Sequence, residues 1–325
     1  MERKTLAPTF LDALLADRKP TRADAFFARV DALLDWPDLT VPLAPIFKDS
    51  PQGGRPHEAV VTYLKCLLLQ KWFNLSDPAL EEHLTDRLSF RKFLGLSMSD
   101  KVPDAEAVGD FRRALLAQGL LSALFERVNA QLERRGLILR EGTLVDATIV
   151  EASLGTKRED GSKTADPCAT FTQKRGRTYF GYKAHIAADK RGMIKDFVYD
   201  TAKVHDSRHA DQLLETERHE AYADSAYMDA QRSAALQARG VKDAIAIRRV
   251  RGQKELTQEQ KAHNRMVAGV RAMVEHPFAW MAKMGFDRAR YRGLTRNALD
   301  FGLECIGYNV KRALSLASPL ALGAA

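Results

Sequence analysis

The chain has 325 residues, of which 45% are hydrophobic and 28% are charged, as is usual for a globular protein that folds in water. This length suggests two domains and is enough to bury a core without disulfides or structural metals. The net charge of +8 favours an anionic partner, either nucleic acid or an acidic membrane surface.

The cysteines and the apolar runs indicate where the protein works. Cys66, Cys168 and Cys305 form no CxxC pair and no zinc spacing, which predicts unpaired thiols. The N-terminus lacks the apolar core of a signal peptide, and runs such as CLLL fall far short of the roughly 20 residues that cross a bilayer. We therefore expect a cytoplasmic protein without a membrane span.

The sequence up to about residue 135 predicts helices only. Thr21 is placed to cap a first helix, and HEAVVTYLKCLLLQKWFN is apolar on all sides, as a buried helix would be. We divide this part into an N-terminal helical segment, residues 1–50, and a helical domain, residues 51–135. That domain either holds a helix-turn-helix for DNA binding or is a plain bundle used for packing or dimerisation.

From residue 136 to 325 the pattern predicts strands as well as helices. The polar residues 152–178 predict a loop, and the alternation of strands and helices follows it. Three consecutive strands with tight links indicate an antiparallel meander, and later strands that alternate with helices add parallel neighbours. By analogy, this is an α/β ribonuclease H-like core, a mixed five-stranded sheet with helices on both faces. The predicted strands lie in GTLVDATIVEA, YFGYKAHIAAD, MIKDFVYDTAKV, EAYADSAY and VKDAIAIR.

Three acids in this part are candidates for metal ligands. Phosphodiester chemistry in such a fold uses two divalent cations, and Mg²⁺ prefers carboxylate oxygens. Asp146 lies inside the apolar strand LVDATIV, where a charge is costly unless it is paired or binds a cation. Asp224 ends the run AYADSAY, and Glu275 lies on a long helix. If the first and fourth strands are neighbours, the two aspartates meet.

The helix around Glu275 carries further polar residues. Asn264, Arg265 and Arg271 precede the glutamate, and Asn264 and Arg271 fall near its face at 3.6 residues per turn. They could meet DNA phosphate beside the metal site, and the alternative is an ordinary Arg271–Glu275 surface pair. Pro277 should kink the helix just after Glu275.

Other cations are candidates for DNA contact. Lys183 and His185 alternate on one strand and so share a face, which either meets the scissile phosphate or faces solvent. The patch KRGRTYF combines cations with stacking surfaces, a mixture suited to phosphate and base contact, but a charged loop is the simpler interpretation. A second basic run follows the long helix. The candidates in these two runs are Lys174, Arg175, Arg177, Arg290 and Arg292.

At these residues the chain resembles a known family, the bacterial insertion-sequence transposases of the DDE type, insertion-sequence-five group. In the first half the resemblance rests on GRPHEAVV, KCLLLQKWFNLSDPALEEHLTDRLSFRKFLGL and VPDAEAVGDFR. In the second half it rests on GTLVDAT, YFGYKAHIAAD, AKVHDSRHADQLL, AYADSAY, NRMVAGVRAMVEHPF and RYRGLTRN.

The resemblance implies that Asp146, Asp224 and Glu275 form the catalytic and metal-binding triad. It further implies two Mg²⁺ ions, replaceable by Mn²⁺, with double-stranded DNA as substrate and a homodimer or larger oligomer on that DNA. Arg271 matches the basic position before the glutamate in the family's C-terminal signature. The lysine expected seven residues after it is Ala282 here, and Lys283 follows one residue later.

Three functions remain open from the sequence. An active transposase would cleave its element's ends and join the freed 3′-hydroxyl to target DNA. A repressor or domesticated remnant would bind DNA without cutting it, and a nuclease of the same fold would cut without joining. The intact set of three acids favours an enzyme.

Overall fold

The computed structural model describes residue 10 and residues 18–47, 58–156, 165–174 and 176–317. The chain forms two compact units, Met1–Arg134 with Ala313–Ala325, and Arg135–Arg312. The boundary expected after residue 135 lies one residue from this division. The two parts into which the sequence divided the first 135 residues fall in a single unit.

Every regular element of the first unit in residues 18–47 and 58–134 is a helix. The cap predicted at Thr21 is confirmed, because its hydroxyl accepts from the Asp24 amide at 3.2 Å and the Asp24 carboxylate accepts from the Thr21 amide at 2.7 Å. The predicted buried helix is confirmed as α3, most of whose residues are buried. The helices are α1 (Arg22–Leu33), α2 (Trp36–Thr40), α3 (Val60–Phe73), α4 (Asp77–Asp86), α5 (Leu88–Leu94), α6 (Ala105–Ala117) and α7 (Leu121–Arg134), with a 3-10 helix at Val41–Ile46.

The second unit is built on a mixed sheet of six strands, not the five expected. The additional strand, β2, lies within residues 152–178, which the sequence predicted to be a loop. Its polar side chains gave no apolar pattern, and it is a strand because it pairs with the first half of β3. The strands are β1 (Thr143–Glu151), β2 (Thr170–Lys174), β3 (Arg177–Ala188), β4 (Ile194–Thr201), β5 (Glu220–Ala223) and β6 (Lys242–Ile245).

The strand order confirms the expected meander and its parallel extension. β3 pairs antiparallel with β1 on one side and with β4 on the other. β5 joins β1 in parallel, and β6 joins β5 in parallel. The first and fourth predicted strands, β1 and β5, are therefore neighbours, as the sequence required for Asp146 and Asp224 to meet.

Helices cover both faces of this sheet. One face carries Val145 and Ala187, which pack with Leu213 and Leu236 of the covering helices. On the opposite face, Phe301 lies 5.4 Å from Phe197, ring to ring. The helices of this unit are α8 (Ala210–Leu213), α9 (Ala230–Ala238), α10 (Gln258–Arg271), α11 (Glu275–Lys283) and α12 (Leu294–Leu316). The part of α12 up to Arg312 belongs to this unit.

The long helix expected around Glu275 breaks earlier than its sequence predicted. α10 ends at Arg271, a 3-10 turn occupies Ala272–Val274, and Glu275 begins α11. The predicted kink after Glu275 is thus wrong. Pro277 lies in the first turn of α11, where a backbone N–H has no partner within the helix, so its missing donor costs nothing there.

The three cysteines are free thiols, two of them buried, which confirms the expectation of unpaired cysteines. Among the described residues, no helix is both long enough and apolar enough to span a bilayer. Burial raises the pKa of the Cys66 thiol, so it stays protonated inside α3.

Candidate active site

Asp146 lies in the middle of β1 with a side chain that is only 22% exposed. Its Oδ1 accepts from the Ala147 amide at 2.8 Å, and its Oδ2 lies 3.3 Å from Nη2 of Arg271. Burial raises the pKa of Asp146, the Arg271 guanidinium opposes that rise, and the Asp224 carboxylate adds to it. A half-buried strand carboxylate thus shares its surroundings with one cation and one further acid.

Asp224 follows the last residue of β5. The β1–β5 ladder pairs Thr143 with Ala221 and Leu144 with Tyr222, so two more residues along it Asp146 stands opposite Asp224. Neighbouring strands are roughly 4.8 Å apart. Asp224 also caps the 3-10 turn Ser225–Tyr227, because its Oδ1 accepts from the Ala226 amide at 2.8 Å. The fold holds the two carboxylates side by side.

The third predicted acid, Glu275, follows the Asp146-bound Arg271 by four residues, but its side chain is exposed. The 3-10 turn Ala272–Val274 packs on β1, and Arg271 just before it bonds to Asp146. Glu275 then opens α11 with an exposed side chain. Among the described residues, no three His, Cys, Asp or Glu side chains are grouped to hold a metal ion. The structure therefore brings two of the three acids together.

The donor set at Asp146 and Asp224 fits one divalent cation. Both ligands are carboxylates, the donors that Mg²⁺ prefers, and Mg²⁺ usually takes one or two protein carboxylates with waters and phosphate. A divalent cation held by both acids would offset the burial and the like-charge repulsion that raise the pKa of Asp146. A second cation would need Glu275, which the described arrangement leaves outside the pair.

Lys183 and His185 share a face of β3, as predicted, but it is not the face of Asp146. The β1–β3 register pairs Asp146 with Ile186 and Ala147 with His185, so the two side chains leave opposite faces. Lys183 is held by Asp206 at 2.8 Å and by the Val204 carbonyl at 2.8 Å. A contact of this pair with a phosphate beside Asp146 is not supported by this register.

His185 is wholly buried, and neither ring nitrogen has a hydrogen-bond partner among the described residues. Its ring lies 4.9 Å from that of His209, which in turn bonds to Asp200. Burial lowers the pKa of His185 to about 4; the Asp206 carboxylate opposes this shift, and the charges of His209 and Lys183 add to it. The predicted alternative, a solvent-facing polar strand face, is therefore wrong for His185.

Asn264 is occupied within the protein. Its Oδ1 accepts from the Ile247 amide and its Nδ2 donates to the Ile247 carbonyl, both at 2.8 Å. The side chain thus ties α10 to the segment after β6, leaving both of its polar atoms bonded internally. Arg265, one residue on, is exposed.

The cations of the KRGRTYF patch lie beside the acid pair or on the surface of β3. Lys174 ends β2, and its charge lowers the pKa of Asp146, which places it within electrostatic reach of that carboxylate. Arg177 lies over the Tyr179 ring, 4.9 Å from its centroid. The predicted Arg175 falls outside the described residues.

The basic run after α11 lies beside the end of β1. Glu151, the last residue of β1, bridges to Arg288 in parallel, and the Ala289 amide donates to the Glu151 carbonyl at 2.8 Å. Arg290 and Arg292 follow with exposed side chains, and Lys283 is exposed at the end of α11. Arg292 donates to the Ala165 carbonyl at 3.0 Å. Arg290 and Arg292 therefore follow a segment that lies alongside the end of β1, the strand that carries Asp146.

Tyr227 is a buried core tyrosine within electrostatic reach of both aspartates, and its residue type alone did not point to it. Its side chain is 1% exposed, and its hydroxyl has no hydrogen-bond partner among the described residues. Burial raises its pKa, and the charges of Asp206, Asp146 and Asp224 add to that rise. The signal was its place three residues after Asp224 in the quoted run AYADSAY.

Two domain families match this sequence. The transposase DDE domain matches residues 138–310, and a transposase domain (DUF772) matches residues 15–114. A solved structure described as the piggyBac transposase synaptic complex with hairpin DNA is also similar. Its identity is 10% over 92% of this chain and 77% of that chain, with a TM-score of 0.47.

The DDE match covers the whole sheet and both aspartates, from the residues before β1 to the middle of α12. Residues 138–310 are more than half of the 325-residue chain. On that match, this protein belongs to the family of proteins that carry the transposase DDE domain.

Proposed function

We propose that the chain is an active DNA transposase of the insertion-sequence-five group, with Asp146, Asp224 and Glu275 as catalytic and metal-binding acids. The observation that carries this proposal is the position of Asp146 on β1 beside Asp224, which directly follows the adjacent parallel strand β5, in a chain of the transposase DDE family. A sheet with an antiparallel meander and two added parallel strands supports a ribonuclease H-like core.

In this proposal the protein positions acids and cations around one phosphodiester. Bound at the acids, two Mg²⁺ ions, or Mn²⁺ in their place, would activate the attacking oxygen and stabilise the leaving one. Asp146 and Asp224 supply the paired carboxylates, and Glu275 would have to move from its exposed position in the first turn of α11 to join them. Arg271 exchanges its bond to Asp146 for a DNA phosphate when the acids take up a cation.

The proposed reaction has two transfers in one site. Water attacks the phosphodiester at the element's end, the bond to the 3′-oxygen breaks, and a 3′-hydroxyl is freed. That hydroxyl attacks a target phosphorus, the new P–O bond forms the joint, and the bond to the target's own 3′-oxygen breaks, leaving a 3′-hydroxyl on the target strand. Proposed DNA contacts beside Arg271 are Lys174, Arg177, Lys283, Arg290 and Arg292, and the working form is a homodimer or larger oligomer on DNA.

The test is a cleavage and joining assay with the full chain. The substrate is DNA that contains both ends of the element that encodes this chain, incubated with Mg²⁺ and resolved on denaturing gels. We expect free 3′-hydroxyl ends followed by joined products. Cleavage without joining would make the protein a nuclease, and neither product with Mg²⁺ or Mn²⁺ would reject the proposal.

A further inference from the structure

A strongly basic segment connects β6 to α10. This segment, residues 246–257, is called the basic linker below. It contains four cations and one acid, Glu255, and so has a net charge of +3. All four cationic residues are exposed, and Val250 among them is 57% exposed. The cations are Arg248, Arg249, Arg251 and Lys254.

The basic linker leaves the sheet beside the acid pair. The β5–β6 ladder pairs Ala223 with Ile245, and the Ala246 amide donates to the Ala223 carbonyl at 3.0 Å. One residue further along each strand, Ala246 is therefore level with Asp224, which is itself level with Asp146. The linker's cations begin two residues beyond this row, at the same edge of the sheet.

The basic linker is held in shape by its own contacts. Asn264 bonds to both backbone groups of Ile247 at its base. At its tip, the Gln253 amide donates to the Val250 carbonyl at 3.0 Å, closing a turn in which Gly252 has a φ of 90°. The Gln253 side chain then donates to Gln260 of α10 at 2.8 Å. Binding to this loop would therefore cost little conformational entropy.

The underside of the basic linker forms an open groove of about 410 Å³. Three cations and one acid line it, and Lys261 of α10 neutralises the acid, Glu255, at 2.8 Å. The groove thus keeps an excess of positive charge. Its lining residues are Arg249, Lys254, Glu255, Leu256 and Lys261.

We propose that the basic linker binds the phosphodiester backbone of the duplex DNA beside the bond that is cut. Clustered, exposed cations on a preformed loop are suited to phosphate contact, because neutralising phosphates releases the counterions that surround DNA. The position level with Asp224 places those phosphates next to the scissile one. This inference rests on the proposed function, since it takes DNA as the substrate.

The first test measures binding and cleavage by the full chain at several salt concentrations. The variant is R251A/K254A, which removes two exposed cations whose side chains make no hydrogen bond or ion pair with described residues. The control is K190A/K242A, which removes the same amount of positive charge. Both lysines bond to Glu220 at the start of β5, the opposite end of that strand from Asp224.

We expect the variant to bind end-containing DNA several-fold more weakly than the control. Its plot of log affinity against log salt should lose about 0.9 in slope for each phosphate contact removed. If variant and control bind DNA equally well, the inference about the linker is wrong. Cleavage of DNA by the wild type in the same experiment would still support the proposed function. Altered self-association without altered DNA affinity also overturns it, in favour of a contact between copies. A wild type that neither binds nor cuts DNA rejects both.

The second test locates the linker on the DNA. Val250→Cys in a Cys168→Ser background carries a photoreactive thiol label, and Cys66 and Cys305 are buried. We expect crosslinks within about one helical turn, roughly 10 base pairs, of the cleaved bond. Crosslinks confined to more distant DNA would overturn the inference. Cys168 labelled alone, in the chain that retains Val250, is the matched control.

Discussion

Two neighbours of opposite charge act on Asp146: Arg271 stabilises its carboxylate, and Asp224 repels it. The guanidinium lies 3.3 Å from Oδ2 of Asp146, while Asp224 is level with it on the next strand. A cation that binds both acids must compete with Arg271 for that oxygen. If the two acids bind a cation as proposed, Arg271 would weaken that binding until a DNA phosphate took its place beside Asp146.

The competition predicts that R271Q binds Mn²⁺ more tightly than the wild type when DNA is absent. The gain should be several-fold, because the substitution replaces the competing guanidinium with a shorter, neutral amide and so removes the nearby positive charge. Electron paramagnetic resonance of free Mn²⁺ during titration measures the affinity. K283Q, which removes an exposed charge from α11, is the control, and an unchanged or weakened affinity in R271Q would refute the competition.

His185 gives a second prediction at this scale, on stability against pH. Its folded pKa is lowered to about 4 by burial, below the value near 6.5 of an unfolded chain. Below pH 6.5 the unfolded chain takes up a proton that the folded chain does not. The folded state therefore loses stability as the pH falls towards 4.

Between pH 7 and pH 5 this effect should lower the free energy of unfolding by about 2 kcal/mol in the wild type and be missing in H185L. Urea denaturation at the two pH values measures it. H219L, which changes an exposed histidine, should keep the wild-type dependence. The same pH dependence in H185L and the wild type would contradict the assignment.

Single residues were predictable where burial alone made the case. Asp146 stood out because a charge in an apolar strand needs a partner, and its partner is Arg271. The internal role of Asn264 could not be found, since it depends on a backbone segment 17 residues away in sequence. Tyr227 was visible only as part of the run AYADSAY around Asp224.

Among the elements, α10 connects the acid pair to the basic linker. It begins after the linker, packs on β5 and β6, and ends at Arg271 beside β1. In the middle of α10, Asn264 makes two hydrogen bonds of 2.8 Å to the backbone of Ile247, which has no strand partner among the described residues. The helix therefore fixes the base of the linker.

N264A should free the base of the basic linker. Losing both hydrogen bonds should cost about 1–2 kcal/mol of stability. The amides of residues 246–257 should exchange with solvent faster, which mass spectrometry of deuterium uptake measures. N264D keeps the acceptor for the Ile247 amide, so its exchange rates should lie between those of N264A and the wild type. Unchanged exchange in N264A would mean that the linker is held elsewhere.

Element types with apolar periodicity were predictable, and those set by distant pairing were not. The five strands expected from apolar runs are present, and β1 and β5 are neighbours. β2 has the largely polar sequence TFTQK and forms because its backbone pairs with that of β3. The break at Ala272–Val274 occurs in a stretch with no glycine or proline, so nothing in its residue types announced it.

At the scale of the whole molecule, two transposase domain matches account for most of the chain. One covers residues 15–114 and the other residues 138–310. The family resemblance seen in ordered motifs is thereby confirmed as a transposase family, and the insertion-sequence-five group stays a proposal. The net charge of +8 agrees with an anionic partner but did not by itself distinguish DNA from a membrane surface.

The central claim is that Asp146 and Asp224 hold the cations that cut DNA. It is tested most directly by cleavage of end-containing DNA with Mg²⁺, comparing the wild type with D146N under conditions where both bind that DNA. The account predicts that D146N binds the ends as the wild type does and cleaves them at least about 100-fold more slowly, because a metal ligand is lost. Cleavage by D146N at the wild-type rate would contradict it.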